Sequence, residues 1–188
     1  MKKIMLILML APIVGLGQSV QKENLADSIK KYVKLVVDEI EGTRSFESDN
    51  IIAFSKDKDI LVIQFTANEI KSIMDVSFYC KGLICCRDNA KIRFLLEEDV
   101  RTVLENEAGY NCSGLQMVNF LGDREDTPDW ARTKITPEIK SMASVKPRAV
   151  RLEGTGKIID FYFADEQAEK FRITFASFEK LVGVWSVN

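Results

Sequence analysis

The sequence predicts an α+β domain in which a mostly antiparallel, twisted sheet of short strands carries a C-terminal amphipathic helix on one face. Two observations point there. From Ile51 onward the chain breaks into short apolar stretches that alternate at a period of two and are divided by polar turns, the pattern of half-buried antiparallel strands. The closing stretch instead repeats Ala168, Phe171, Phe175, Phe178 and Val182 at spacings of 3 and 4 residues, which is one apolar stripe of an α-helix.

The chain opens differently. Lys2 and Lys3 precede an apolar run from Ile4 to Leu16, and Gly15-Leu16-Gly17 places small residues just ahead of Gln18. A positive start, a short apolar core and a small-residue cleavage site form a secretory signal pattern, and the run is shorter than the roughly 20 residues that a membrane helix needs. Met1 to Gln18 resembles the export signals of bacteria that are cut just before a Gln. Residues 1–17 are therefore expected to be a signal peptide, residues 18–188 a single α+β domain in the periplasm or secreted, with no transmembrane segment after cleavage. No Cys stands beside the cleavage site to take a lipid.

From Lys22 to Ile40 two periods compete. Leu25, Ile29, Val33, Val36 and Ile40 recur at helical spacing while Val33, Leu35 and Val37 alternate, so a short helix leading into a strand is expected, with Gly42 in the turn before Arg44 to Glu47. Ile51 to Phe54 and Ile60 to Thr66 follow as strands on either side of the turn Lys56-Asp57-Lys58-Asp59, with Leu61, Ile63 and Phe65 sharing one face. Met74, Val76, Phe78 and Cys80 form the apolar face of the next strand. Ile92, Phe94 and Leu96, then Val100, Thr102 and Leu104 across Glu97-Glu98-Asp99, predict a β-hairpin whose turn lacks Gly, so that Asp99 or a neighbour has to adopt left-handed geometry. The stretch from Gly122 to Lys134 is the most loop-like part of the chain. Thr136-Pro137-Glu138 then supplies a hydroxyl cap, a Pro at the first helical position and an acid in the first turn of a short helix ending before Pro147. Val150 and Leu152, the turn Gly154-Thr155-Gly156, and Ile159, Phe161 and Phe163 predict a second hairpin. Asp165 stands where it would cap the final helix, and Phe171, Phe175 and Phe178 are expected to cover a sheet face as core.

Composition narrows the chemistry. The 188 residues contain no His, which removes Ser-His-Asp and Cys-His catalysis and His-based zinc hydrolysis. Carboxylate pairs need no His, and Glu97, Glu98, Asp99, Glu105, Glu107, Asp123 and Asp126 are the acids available, each also an ordinary residue of a solvated turn. Without Lys2 and Lys3 the mature chain carries 24 basic and 28 acidic residues, a net charge of −4, and no basic run, which argues against nucleic acid or anionic lipid as partner.

Cys80, Cys85, Cys86 and Cys112 are an even set in a chain bound for an oxidising compartment, so disulfides are expected. Four Cys allow three pairings. Cys85 and Cys86 are neighbours and each looks to a more distant partner. Cys86 with Cys112 and Cys80 with Cys85 is the preferred set, with Cys85 the other partner considered for Cys112. The C-x₂-C spacing of a zinc site is missing. Gly154-Thr155-Gly156-Lys157 lacks the upstream Gly and the following Ser or Thr of a phosphate loop, the acids between Asp123 and Asp129 lack the alternation and central Gly of an EF-hand, and Asn111-Cys112-Ser113 spells a glycosylation sequon that carries no expectation in a bacterial export setting. No catalytic, cofactor-binding or metal-binding residue is assigned. The expected role is a non-enzymatic binding or structural module whose partner is an envelope or secreted protein. The alternatives are a carboxylate-dependent hydrolase and a carrier of a small apolar ligand between sheet and helix.

Overall fold

In a computed structural model, which describes residues 31–39, 43–68, 73–80, 84–99, 101–121 and 133–185, the chain lays ten strands into one sheet. They are β1 (Val33–Asp38), β2 (Thr43–Ser48), β3 (Ile51–Ser55), β4 (Ile60–Asn68), β5 (Ile73–Tyr79), β6 (Lys91–Leu96), β7 (Arg101–Glu105), β8 (Leu115–Leu121), β9 (Pro147–Glu153) and β10 (Ile158–Phe163). Helix α1 spans Pro137–Lys140 and helix α2 spans Asp165–Trp185. Every pairing between these strands is antiparallel. The expected leader, the helix before β1 except for Lys31 and Tyr32, Val100 and the acidic loop with Asp123 and Asp126 lie outside the described residues, as do the side chains of Glu98 and Val182.

The sheet curls because its middle is shared. One edge of β4 pairs with β5 from Val62 to Asn68. Its other edge is divided, with Ile60 to Ile63 facing β3 and Thr66 to Asn68 facing β2. The chain therefore runs as one bent strand from β2 to β3, with Asp49 and Asn50 at the bend. Beyond β3 the order is β10, β9, β6 and β7, and β8 lies outside β5.

The period-two reading holds for β4, β5 and β6 but not for the inward face expected of β1, where Val33 is buried while Leu35 and Val37 are exposed. Leu61, Ile63 and Phe65, then Met74, Val76 and Phe78, then Ile92, Phe94 and Leu96 are all buried. The hairpin of β6 and β7 turns through a short 3₁₀ segment, Glu97–Asp99, and Asp99 takes the left-handed conformation at φ 58°. The hairpin of β9 and β10 closes with Gly154 N–H donating to the Lys157 carbonyl at 2.8 Å and Gly156 at φ 72°. Thr136 caps α1 by accepting the Ile139 N–H at 3.4 Å.

Helix α2 lies in the curl. Phe171, Phe175 and Phe178 are fully buried, and Phe65 of β4 meets all three rings at centroid distances of 5.4, 6.2 and 5.7 Å. Phe94 and Phe163 close on Phe171 and Phe120 on Phe175, so phenylalanines fill the space between helix and sheet. Such edge-to-face and tilted pairs add about 0.5–1.5 kcal/mol each beyond the area they bury.

Two strands and one cap differ from the sequence reading. Thr43–Ser48, entered as the far side of a turn, is β2, and Leu115–Leu121, which the alternation did not pick out, is β8. Asp165 is not a cap: it stands inside the first turn of α2, Ala164 supplies the carbonyl that receives the Ala168 N–H at 2.9 Å, and the Asp165 carboxylate lies 3.3 Å from Lys146 Nζ.

Candidate functional site

Cys86 and Asn111 form an isolated antiparallel bridge, with Cys86 N–H donating to the Asn111 carbonyl at 2.7 Å and Asn111 N–H returning to Cys86 at 3.2 Å. Continuing that register sets Cys85 directly opposite Cys112. Neighbouring strand residues point to opposite faces, so Cys86 is turned inward and Cys85 toward Cys112. A disulfide joins Cys85 and Cys112 with Cα atoms 3.9 Å apart. The preferred sequence pairing is corrected accordingly: Cys86 does not meet Cys112, Cys80 does not meet Cys85, and Cys80 and Cys86 are buried thiols. Burial pushes the Cys80 thiol up to about 11 and raises the Cys86 thiol as well, which disfavours the reactive thiolate form at both. With two thiols in a disulfide, a four-thiolate metal site is not built.

The outer edge of β8 is covered by side chains in place of a strand. Its outward backbone groups belong to Leu115, Met117 and Asn119. Asn111 takes both groups of Leu115, donating from Nδ2 to the carbonyl at 2.8 Å and accepting the N–H at 3.3 Å. Met117 donates to Asn106 Oδ1 at 3.1 Å and accepts the Glu107 N–H at 2.8 Å. Asn119 donates to Glu107 Oε2 at 2.6 Å and accepts the Thr133 N–H at 2.9 Å. Asn106 is itself buried, and its Nδ2 donates to the Arg87 carbonyl at 2.7 Å. Burial raises the Glu107 carboxyl above the usual carboxylate range, against the Asn119 N–H and Thr133 hydroxyl that favour its charged form.

The other acids are spread along the surface. Glu97 is exposed, Asp99 pairs with Arg148 at 3.6 Å, and Glu105 pairs with Lys91. Glu107, whose Oε1 also accepts the Thr133 hydroxyl at 3.0 Å, has an acceptor role at each oxygen. Asn111 of the sequon spends its side chain on the turn into β8, where Ser113 donates to its Oδ1 at 2.9 Å.

The outer face of the sheet presents a different surface. Ile60, Phe54, Tyr162, Ala149, Leu95 and Arg101 stand in one register row across β4, β3, β10, β9, β6 and β7. Ile60 is 50%, Phe54 46% and Tyr162 42% exposed, large apolar groups side by side in water. The next row carries Asp160, Arg151, Arg93 and Val103. Arg151 grips Asp160 through two hydrogen bonds of 2.6 and 2.8 Å, and Arg93 pairs with Glu153. The two rows enclose an open groove of about 530 Å³ into which Arg93, Arg101, Arg151 and Tyr162 project. No ion pair holds Arg101 among the described residues.

The sequence reading passed over this row because it followed inward positions alone. Phe54 and Tyr162 were visible as aromatics at outward positions, between Ala53 and Ser55 and between Phe161 and Phe163. Comparison with family models, curated proteins and solved structures finds no match.

Proposed function

We propose that the chain is an exported, non-enzymatic binding module of residues 18–188, made with the leader 1–17, that holds an envelope or secreted protein against the outer face of its sheet. The observation that carries this reading is the register row of exposed Ile60, Phe54 and Tyr162 running into an arginine-lined groove. Aromatic residues and Arg are the side chains enriched where proteins bind proteins, and contiguous exposed apolar groups mark such sites. The Cys85–Cys112 disulfide supports an oxidising destination, and among the described residues no helix is long and apolar enough to cross a membrane. The phenylalanine packing between α2 and the sheet weighs against a carrier of apolar ligands, and the use of both Glu107 oxygens along β8 weighs against a carboxylate hydrolase.

The test places a photo-crosslinking residue at Tyr162 in cells that make the protein. A single discrete adduct is expected, and it is expected to disappear with Phe54→Ser or Arg101→Glu while secretion and urea stability change little. No adduct, or a smear that neither substitution alters, overturns the assignment of this face.

A further inference from the structure

The sheet protects its edges unequally. Along β8 the outward N–H and C=O groups of Leu115, Met117 and Asn119 are taken by the 106–111 segment and Thr133. Strand β7 is five residues long and carries Arg101 and Glu105 at its ends, a common way of blunting an edge. Strand β1 also carries charges near its ends, Lys34 and Asp38, but among the described residues no side chain takes its outward backbone groups. It ends the strand order and pairs on one side only among the described residues, and its consecutive Leu35, Val36 and Val37 are 54%, 41% and 51% exposed, so apolar groups reach water from both faces.

The phase of the bare edge follows from one hydrogen bond. Asp49 N–H donates to the Tyr32 carbonyl at 2.9 Å, in the same register as Val33 with Ser48 and Lys34 with Glu47. Hydrogen-bonded pairs alternate in an antiparallel ladder. Lys34, Val36 and Asp38 therefore spend their backbone groups on β2, while Val33, Leu35 and Val37 turn theirs outward.

We propose that this edge binds a second copy of the chain, β1 against β1, antiparallel about a two-fold axis at Val36. In that register Leu35 lies opposite Val37 of the second copy, both with outward backbone groups, and Val36 faces its own counterpart. Lys34 falls opposite Asp38 of the second copy, and the symmetry makes the opposite-charge pair twice. Moving the axis to Leu35 keeps the backbone phase but sets Lys34 against Val36 and Asp38 against Tyr32; an axis at Val37 sets Asp38 against Val36. Within the strand Val33–Asp38, only the Val36 register brings residues of opposite charge together while keeping the backbone phase. Lys34 already pairs with Asp49 at 2.9 Å, with its side chain 75% exposed, and its ammonium has further donors for a second carboxylate. An isologous contact of this kind closes at two copies.

The experiment is sedimentation velocity of the purified, oxidised full chain from about 1 to about 100 µM, with circular dichroism as the folding control. A concentration-dependent dimer is expected. Lys34→Asp or Asp38→Lys alone should weaken it about tenfold by turning two attractive cross-strand pairs into repulsive ones, and the two together should restore it. Val37→Pro removes an outward N–H without touching the ladder to β2, and should abolish association in a folded chain; should that variant fail to fold, the charge-swap series decides. A monomer at every concentration, an open-ended polymer, or a dimer in which the double swap gives no rescue overturns the proposal.

Discussion

The Glu107 carboxylate accepts the backbone N–H of Asn119 at 2.6 Å, so an acid just past the end of β7 stands where a neighbouring strand would otherwise bond to β8. With the Asn106 side chain and the Glu107 backbone N–H on Met117, and Asn111 on Leu115, the end of the sheet is sealed by three side chains from one short segment. That seal fixes the start of β8 beside the Cys85–Cys112 disulfide.

A pH signature follows from this contact. Burial holds the Glu107 carboxyl above its ordinary range, with Asp75 adding a smaller push in the same direction. A folded state that binds a proton more tightly than the unfolded chain loses stability as pH rises. The contribution of Glu107 is thus fully present below the ordinary carboxylate pKa and is lost as pH climbs through the raised folded one. Asp49, Asp160 and Glu169, each held below the usual range by a cationic partner, act in the opposite sense and do so equally in a Glu107→Gln variant. Urea unfolding of both proteins between about pH 4 and pH 8 should show wild type losing stability relative to the variant as pH rises. A difference that is flat or grows with pH contradicts the burial of a neutralisable carboxyl here.

Gly114 is the position where backbone geometry is least negotiable. It sits at φ 80°, and a Cβ there would lie 1.9 Å from the Cys80 carbonyl oxygen, while its own carbonyl receives the Cys80 N–H at 3.0 Å. Gly114→Ala combines left-handed strain with a collision against backbone, and should destabilise by more than about 3 kcal/mol. Gly156, at φ 72° with nothing within 4 Å of its would-be Cβ, isolates the strain alone, so Gly156→Ala should cost about 1 kcal/mol. Equal midpoints for the two variants in urea contradict the close approach at Gly114.

The cysteines give a third expectation. The Cys85–Cys112 disulfide bridges a sequence separation of 27, and opening a loop of that length releases about 3–4 kcal/mol of unfolded-state entropy. Reduction, or Cys85→Ser with Cys112→Ser, should lower the unfolding free energy by that margin and move the urea midpoint down accordingly. Cys80 and Cys86 are buried, and burial raises both thiols above their ordinary range, so an alkylating reagent should label neither in the folded protein and both after unfolding. Peptide mapping that finds Cys86 joined to Cys112 contradicts the register of the Cys86–Asn111 bridge.

How much of this was legible depended on whether inward positions were apolar without interruption. Leu61, Ile63 and Phe65 announce β4, and Phe171, Phe175 and Phe178 announce α2, because each pattern is complete within its own segment. Strand β8 hides because Gln116, fully buried, occupies an inward position and breaks the alternation before Val118 and Phe120. Strand β2 hides because Phe46 is its only large apolar residue. The disulfide is half legible: the sequence directs Cys112 to Cys86 or its neighbour Cys85, and only the bridge to Asn111, a long-range pairing, decides between adjacent residues that face opposite ways. The β8 seal and the outer row are also non-local, since neither Asn106 nor Tyr162 announces in its own segment what it will stand beside.

The same folding logic separates core from surface among the phenylalanines, and two substitutions test it together. Phe175 is fully buried, with ring centroids 5.9 Å from Phe120, 6.2 Å from Phe65 and 6.3 Å from Phe171. Truncating it removes contacts to strands at both ends of the β8-β5-β4 stretch and leaves a cavity that rigid ring neighbours fill poorly. Phe175→Ala should therefore cost about 3–5 kcal/mol, a large share of the roughly 5–15 kcal/mol that holds a typical domain together. Phe54 is 46% exposed on the outer row, so Phe54→Ala should shift stability by less than about 1 kcal/mol while removing an anchor from the proposed partner surface. Urea unfolding of the two variants reads the difference directly. If Phe175→Ala proves as mild as Phe54→Ala, the helix stripe is not the core, and the apolar face available for a partner is that of α2.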